Sequence, residues 1–180
     1  MVYIILGKGF EPMEAVAPCD ILRRGGADVQ FVGIGGTLIE GGHGIFVQTD
    51  CTVEEMKLEK TDMVMLPGGL GGVQSILGSE TAMNFIRLAY EKTCIVAAIC
   101  AAPTILAKLH ITDGRKATCY PGLEDQMGAA QMIPCGAVQD GNVITGRAAG
   151  SADEFGLACL RALKGEEAAR RVASDIVYRA

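Results

Sequence analysis

Short apolar runs without a single charge alternate along this chain with segments whose apolar positions recur at helical spacing. Val2–Leu6, Val29–Ile34, Met63–Leu66 and Cys94–Ile99 are of strand length. The first three run straight into glycine or Pro-Gly, which cannot continue a strand comfortably. Met13–Arg24 carries Val16, Cys19, Ile21 and Leu22 on one face and stops at Gly25-Gly26, so a helix is predicted there. Glu80–Lys92 repeats the pattern with Met83, Phe85, Ile86, Leu88 and Ala89. Ala101–Leu109 reads as a helix with Pro103 tolerated in its first turn. Ser151–Leu163 and Glu166–Val177 read as two closing helices, the first opened by a capping box of Ser151 and Glu154. Ile45–Gln48 is predicted to be a strand of a small excursion, and Lys116–Cys119 and Val143–Thr145 to be short late strands.

Strands this apolar must be buried on both faces, which calls for a parallel sheet covered by helices on each side. With no repeat, linker or low-complexity stretch, residues 1–180 are predicted to form one doubly wound α/β sandwich. In such sheets the active site lies beyond the carboxyl ends of the strands. That rule selects Gly7–Glu14, Pro67–Gly72 and Ile99–Pro103.

Composition narrows the function. Hydrophobic residues make up 49% and charged residues 21%, enough for a sizeable core. The net charge is −5 and the basic residues are scattered, so no nucleic-acid partner is expected. No apolar stretch is long enough to span a bilayer, and the start lacks the basic segment of a signal peptide. The seven cysteines are odd in number and show neither CxxC nor zinc spacing, so no metal is expected and the chain reads as reduced and cytoplasmic.

The sharpest chemical signal is Ala97-Ala98-Ile99-Cys100-Ala101-Ala102-Pro103, where a charge-free strand meets a helix with no loop between them. A residue at such a junction is forced into a strained turn with its side chain at the top of the sheet, and only small neighbours fit around it. The start of the helix is expected to favour the thiolate. The plain alternative is a structural cysteine at a strand end. Glu14 falls in the first turn of the first helix, where it is either a site carboxylate or a partner of the helix dipole. Leu66-Pro67-Gly68-Gly69-Leu70-Gly71-Gly72 is either a flexible turn or a loop that points N–H groups at a ligand, making an oxyanion hole with Ala101. It lacks the Lys-Ser/Thr of a phosphate-binding loop.

At these three segments the sequence resembles the ThiJ/PfpI superfamily, closest to the branch of the human parkinsonism-associated deglycase and its bacterial relatives. The match includes Ala97–Pro103, Leu66–Gly69, Glu11-Pro12-Met13-Glu14 and Ile21–Gly26, and it extends over essentially the whole chain. The resemblance implies a flavodoxin-like three-layer sandwich, a homodimer, and a reactive Cys100 hydrogen-bonded to a protonated Glu14. It further implies that Gly69 and Ala101 supply oxyanion-hole N–H groups, with Gly68, Tyr120 and His43 as candidate substrate contacts. Members are described as glyoxalases without glutathione, deglycases, redox sensors and chaperones; older labels include thiazole monophosphate biosynthesis and intracellular proteolysis. Tyr120 stands where many relatives have a His, and Ala101 where the protease-like branch has one, so a Cys-His protease is not expected. His110 ends a helix and reads as a dipole partner. The expected activity is cofactor-free conversion of a small 2-oxoaldehyde, such as methylglyoxal to lactate, through a hemithioacetal on Cys100 with Glu14 as proton shuttle. The alternative is a sensor whose Cys100 is oxidised to the sulfinate.

Overall fold

The computed structural model describes residues 1–179. In chain order the strands and helices are β1 (Val2–Leu6), α1 (Pro12–Arg24), β2 (Val29–Gly33), β3 (Leu38–Glu40), β4 (Phe46–Gln48), β5 (Cys51–Thr52) and β6 (Met63–Leu66). They continue with α2 (Leu70–Leu77), α3 (Glu80–Glu91), β7 (Ile95–Ile99), α4 (Pro103–Lys108), β8 (Lys116–Ala117) and β9 (Gln131–Met132). The chain closes with β10 (Ala137–Asp140), β11 (Val143–Gly146), α5 (Ala152–Lys164) and α6 (Glu166–Asp175).

Seven strands form one sheet in the order β10-β11-β7-β6-β1-β2-β5, parallel throughout except for β10 at the edge. Alternate residues of each apolar strand feed two separate cores. Ile4, Leu6, Met65 and Ile99 pack under α1, α5 and α6, while Ile5, Val64, Leu66 and Ala98 pack under α2, α3 and α4. This is the expected three-layer sandwich, and the period of two along each strand explains why no charge is tolerated in them. On the first face α1 and α5 pack closely. A Cβ at Gly156 would lie 3.0 Å from the Pro18 Cα, so only glycine lets the two backbones approach so closely. No helix among the described residues is long and apolar enough to cross a membrane.

Several elements depart from the sequence expectation. Leu70-Gly71-Gly72, read as loop, opens helix α2. The late strand at Lys116 covers only Lys116–Ala117 and pairs with β9 outside the main sheet. The antiparallel edge strand β10 was not foreseen. Ser151 makes no capping hydrogen bond; α5 is entered through a 3-10 turn, Ala149–Ser151, and Glu154 lies against Gly136 instead of reaching back. His110 falls beyond the end of α4 at a positive φ of 58°, with Nδ1 2.9 Å from Asp113 Oδ2, so its partner is a carboxylate rather than a helix end.

β1 and β6 are neighbours, but the chain leaves β1 toward β2 and leaves β6 toward β7, in opposite directions across the sheet. A crevice therefore opens where their carboxyl ends diverge, which is where ligands bind in this kind of sheet.

Candidate active site

Three adjacent strands, β7, β6 and β1, deliver the residues singled out by the sequence. After β7 the chain turns at Cys100, whose φ of 66° is unusual for a residue with a side chain. Its backbone is pinned on both sides, with its N–H donating to Gly146 O at 2.9 Å and its carbonyl accepting from Tyr120 N–H at 2.8 Å. Such pinning is what a strained turn needs in order to persist.

After β1, the loop ends at Glu11, which caps α1 with φ −84° and ψ 114°, followed by Pro12 at the first helical position. One turn on, Glu14 is fully buried. Between these two elements sits the turn after β6. Gly68 O accepts from Glu11 N–H at 3.0 Å, and Gly68 N–H donates to Glu14 Oε2 at 2.8 Å. Glycine is required here: a Cβ at Gly68 would be 2.6 Å from Glu14 Oε2 and 2.8 Å from Cys100 Cβ.

Glu14 and Cys100 stand side by side in the wall of one cavity, and burial dominates the acidity of both. Burial pushes the Glu14 carboxyl up to about 7; the bonds from Cys100 and Gly68 pull it down and the charge of Glu11 pushes it further up. Burial also pushes the Cys100 thiol up to about 12, helped by the Glu14 charge, while the N–H groups of Ala101 and Gly69 bond to the sulfur and favour the thiolate. The helix expected from Ala101 begins only at Pro103, so the Ala101 N–H belongs to the turn before it, and burial and the carboxylate outweigh its pull on the thiol. Two groups this close titrate as a coupled pair and not singly.

The pair opens into a cavity of about 510 Å³ whose walls include Gly69, Ala101, Leu70, Tyr120 and Leu123. Tyr120 therefore faces the cleft as expected. Gly68 does not line it; its role is to hold Glu14 from behind. His43 sits at a positive φ of 59° on the exposed Gly42–Gly44 turn and is not part of the cleft of its own chain. Two features of the wall were not singled out by the sequence as site residues: the Glu11 carboxylate and the Ala148–Gly150 segment. That segment follows the carboxyl end of β11, so applying the strand-end rule to Val143–Thr145 was the available signal. A larger groove of about 660 Å³ lies along α3, but no thiol or imidazole lines it. Among the described residues no three His, Cys, Asp or Glu side chains converge as a metal site would require.

The cleft thus gathers a thiol, a buried carboxyl and glycine-loop backbone around one cavity. The same architecture occurs in known proteins. The crystal structure of DJ-1beta from Drosophila melanogaster superposes with a TM-score of 0.93 at 33% identity, covering 99% of this chain and 98% of that one. Oxidized DJ-1 from Toxoplasma gondii superposes at 0.94 with 26% identity over 99% and 98% of the two chains. The deglycase PH1704 of Pyrococcus horikoshii is 31% identical over 81% of this chain and 89% of its own. Residues 1–162 match the family description itself, and the chain belongs to the DJ-1/PfpI family.

Proposed function

We propose that this chain is a cofactor-free, cysteine-dependent enzyme acting on small 2-oxoaldehydes or their adducts. The observation that carries this reading is the fully buried Glu14 carboxyl set beside Cys100 in one cavity, where burial pushes it up to about 7. A group poised there can both give and take a proton at ordinary pH. The deglycase name borne by one relative supports carbonyl adducts as a related substrate class.

The steps balance without a cofactor. The Cys100 sulfur adds to the aldehyde carbon, and the proton of the pair passes through Glu14 to the aldehyde oxygen, giving a hemithioacetal. Glu14, now a carboxylate, removes the remaining hydrogen from that carbon and returns it to the neighbouring carbonyl carbon by way of an enediol, while the hydroxyl proton passes from the first oxygen to the second. The product is a 2-hydroxy thioester on Cys100. Water cleaves the thioester, releasing the 2-hydroxy acid and the free thiol. The Gly69 and Ala101 N–H groups beside the Cys100 sulfur would stabilise the charge that develops on the oxygen of the attacked carbon in the first and last steps. Lactate formation from methylglyoxal by the wild type, absent in Cys100→Ser, tests the reading.

A second reading shares the same residues. A Cys100 sulfinate would accept from the Gly69 and Ala101 N–H groups and from protonated Glu14, and one structural neighbour is an oxidized form. Peroxide treatment followed by intact mass, with Cys100 gaining two oxygens ahead of the other thiols, tests it. All seven cysteines are free, as a reducing compartment would keep them.

A homodimer is part of the proposal. Cys19 and Ile21 of α1 are buried in the chain's own core. Met13 and Val16 remain 59% and 46% exposed, and with Ile45 they line one groove. An apolar face of this kind suits a second copy across a two-fold axis.

A further inference from the structure

We infer that Glu11 is a charge filter at the active-site cleft, admitting neutral or cationic carbonyl compounds and turning away those that carry a carboxylate or phosphate. The inference rests on the assignment of this cleft as the carbonyl site and adds the substrate class it takes.

Glu11 lines the same cavity as Cys100 and Glu14. Its backbone cannot swing away. It caps α1, and its N–H is bonded to Gly68 O at 3.0 Å, on the same residue whose N–H holds Glu14. The side chain is held by a long bond only, Met13 N–H to Oε1 at 3.4 Å, so the carboxylate is weakly compensated. No Lys, Arg or His lines the cavity, and Glu11 has no ion-pair partner among the described residues. The remaining walls are largely apolar, with Leu70, Pro121, Leu123 and Ala149 among them, so the field of one carboxylate is poorly screened inside. That field already reaches the reacting pair, where the Glu11 charge raises the Glu14 carboxyl. An anionic substrate would have to place its charge against it, and like-charge juxtaposition is how a site rejects a competitor that fits by shape. A neutral 2-oxoaldehyde meets no such barrier, and an adduct on a lysine or arginine side chain gains from it.

The test separates the filter from catalysis by using alkylation of Cys100 itself. Rates are measured with iodoacetamide, neutral, and iodoacetate, anionic, and their ratio is taken relative to that of a small free thiol. The ratio cancels any change in thiol reactivity common to both probes. In the wild type the preference for iodoacetamide is expected to exceed the free-thiol value by about tenfold, to shrink with added salt, and to fall severalfold in Glu11→Gln. Glu11→Asp, which keeps both charge and helix cap, is expected to keep most of the preference. Melting curves confirm that each variant is folded. The same comparison is then made in turnover, with methylglyoxal, 4,5-dioxopentanoate and the neutral methyl ester of the latter. The ester controls for size, and only the free acid should improve relative to it in Glu11→Gln. An unchanged iodoacetamide preference in folded Glu11→Gln overturns the filter. A changed preference in a protein that turns over no 2-oxoaldehyde leaves the filter standing and removes the proposed reaction.

Discussion

Glu14 Oε2 accepts the Gly68 N–H at 2.8 Å, and this bond ties the first turn of α1 to the loop after β6 directly behind Cys100. The other carboxyl oxygen, Oε1, is buried with no partner of good hydrogen-bond geometry. A buried carboxylate with one oxygen left over is costly, whereas a carboxylic acid can turn that oxygen's proton toward the nearby sulfur. The geometry thus favours the protonated form of Glu14.

Gly68 can be tested by adding one methyl group. In Gly68→Ala the new Cβ would collide with both Glu14 and Cys100, at 2.6 Å and 2.8 Å. The carboxyl must move, and the pair is separated. Turnover is expected to fall by about a hundredfold or more, against an overpacking cost of only about 1–3 kcal/mol in stability. Steady-state rates beside thermal melts check this. Near-normal turnover in Gly68→Ala would show that the spacing of the pair does not matter.

The Glu14 shift has a sign that can be checked in stability. Its folded value, about 7, lies above its ordinary 4.5, so the native state holds a proton between those pH values that the unfolded chain has released. Stability from this group is therefore full at low pH and is lost as pH rises through about 7. The loss amounts to about 3 kcal/mol at most, from 1.36 kcal/mol per pH unit. Denaturant midpoints from pH 5 to 8 should decline in the wild type and be flatter in Glu14→Gln. Parallel curves for the two proteins would contradict the assigned burial of charge.

The thiols should differ in their reactivity and its pH dependence. Burial pushes Cys19 and Cys119 up to about 11, and Cys159 further. Cys100 alone faces the cavity, and its pair sheds a proton near 7, so a base is available to draw the thiol proton as the sulfur attacks. A limiting alkylating reagent is expected to label Cys100 first, with a rate that rises through pH 7. Peptide mass mapping reads this directly. Labelling of another cysteine first, or no inflection near neutrality, would be the contrary result.

Much of this was legible from the order of residues, for identifiable reasons. The sheet showed because strands buried on both faces cannot carry a charge, so Val2–Leu6 and Cys94–Ile99 stand out. Cys100 showed because Ala98, Ala101 and Ala102 crowd a turn with no loop residues. Helix α2 was hidden because Gly71 and Gly72 are poor helix formers. They are there for contact. A Cβ at Gly72 would lie 2.8 Å from Phe10 Cα, and one at Gly71 2.9 Å from Lys8 O, so α2 needs them to pack on the loop carrying Glu11. Strand β10 was hidden because an edge strand with one solvated face, Ala137–Asp140, has too few apolar residues to show a period. The bond from Gly68 to Glu14 spans 54 positions and leaves no local trace.

The dimer proposal predicts sedimentation at twice the chain mass at micromolar concentration. Val16→Glu, placed on the exposed face of α1 and away from the core, should shift the protein toward monomer without lowering its helical content. A wild type that sediments as a monomer would set the proposal aside.

The central claim is that Glu14 carries the proton for Cys100, and Glu14→Gln tests it most directly. The amide keeps the size of the side chain and can still accept the Gly68 N–H, but it cannot give and take a proton at neutral pH. Lactate production from methylglyoxal by the folded variant is the measurement. The account predicts a loss of at least about a thousandfold, the upper range of what general acid–base catalysis contributes, with Cys100 still present as a titratable thiol. Turnover by Glu14→Gln within a few-fold of the wild type would contradict it.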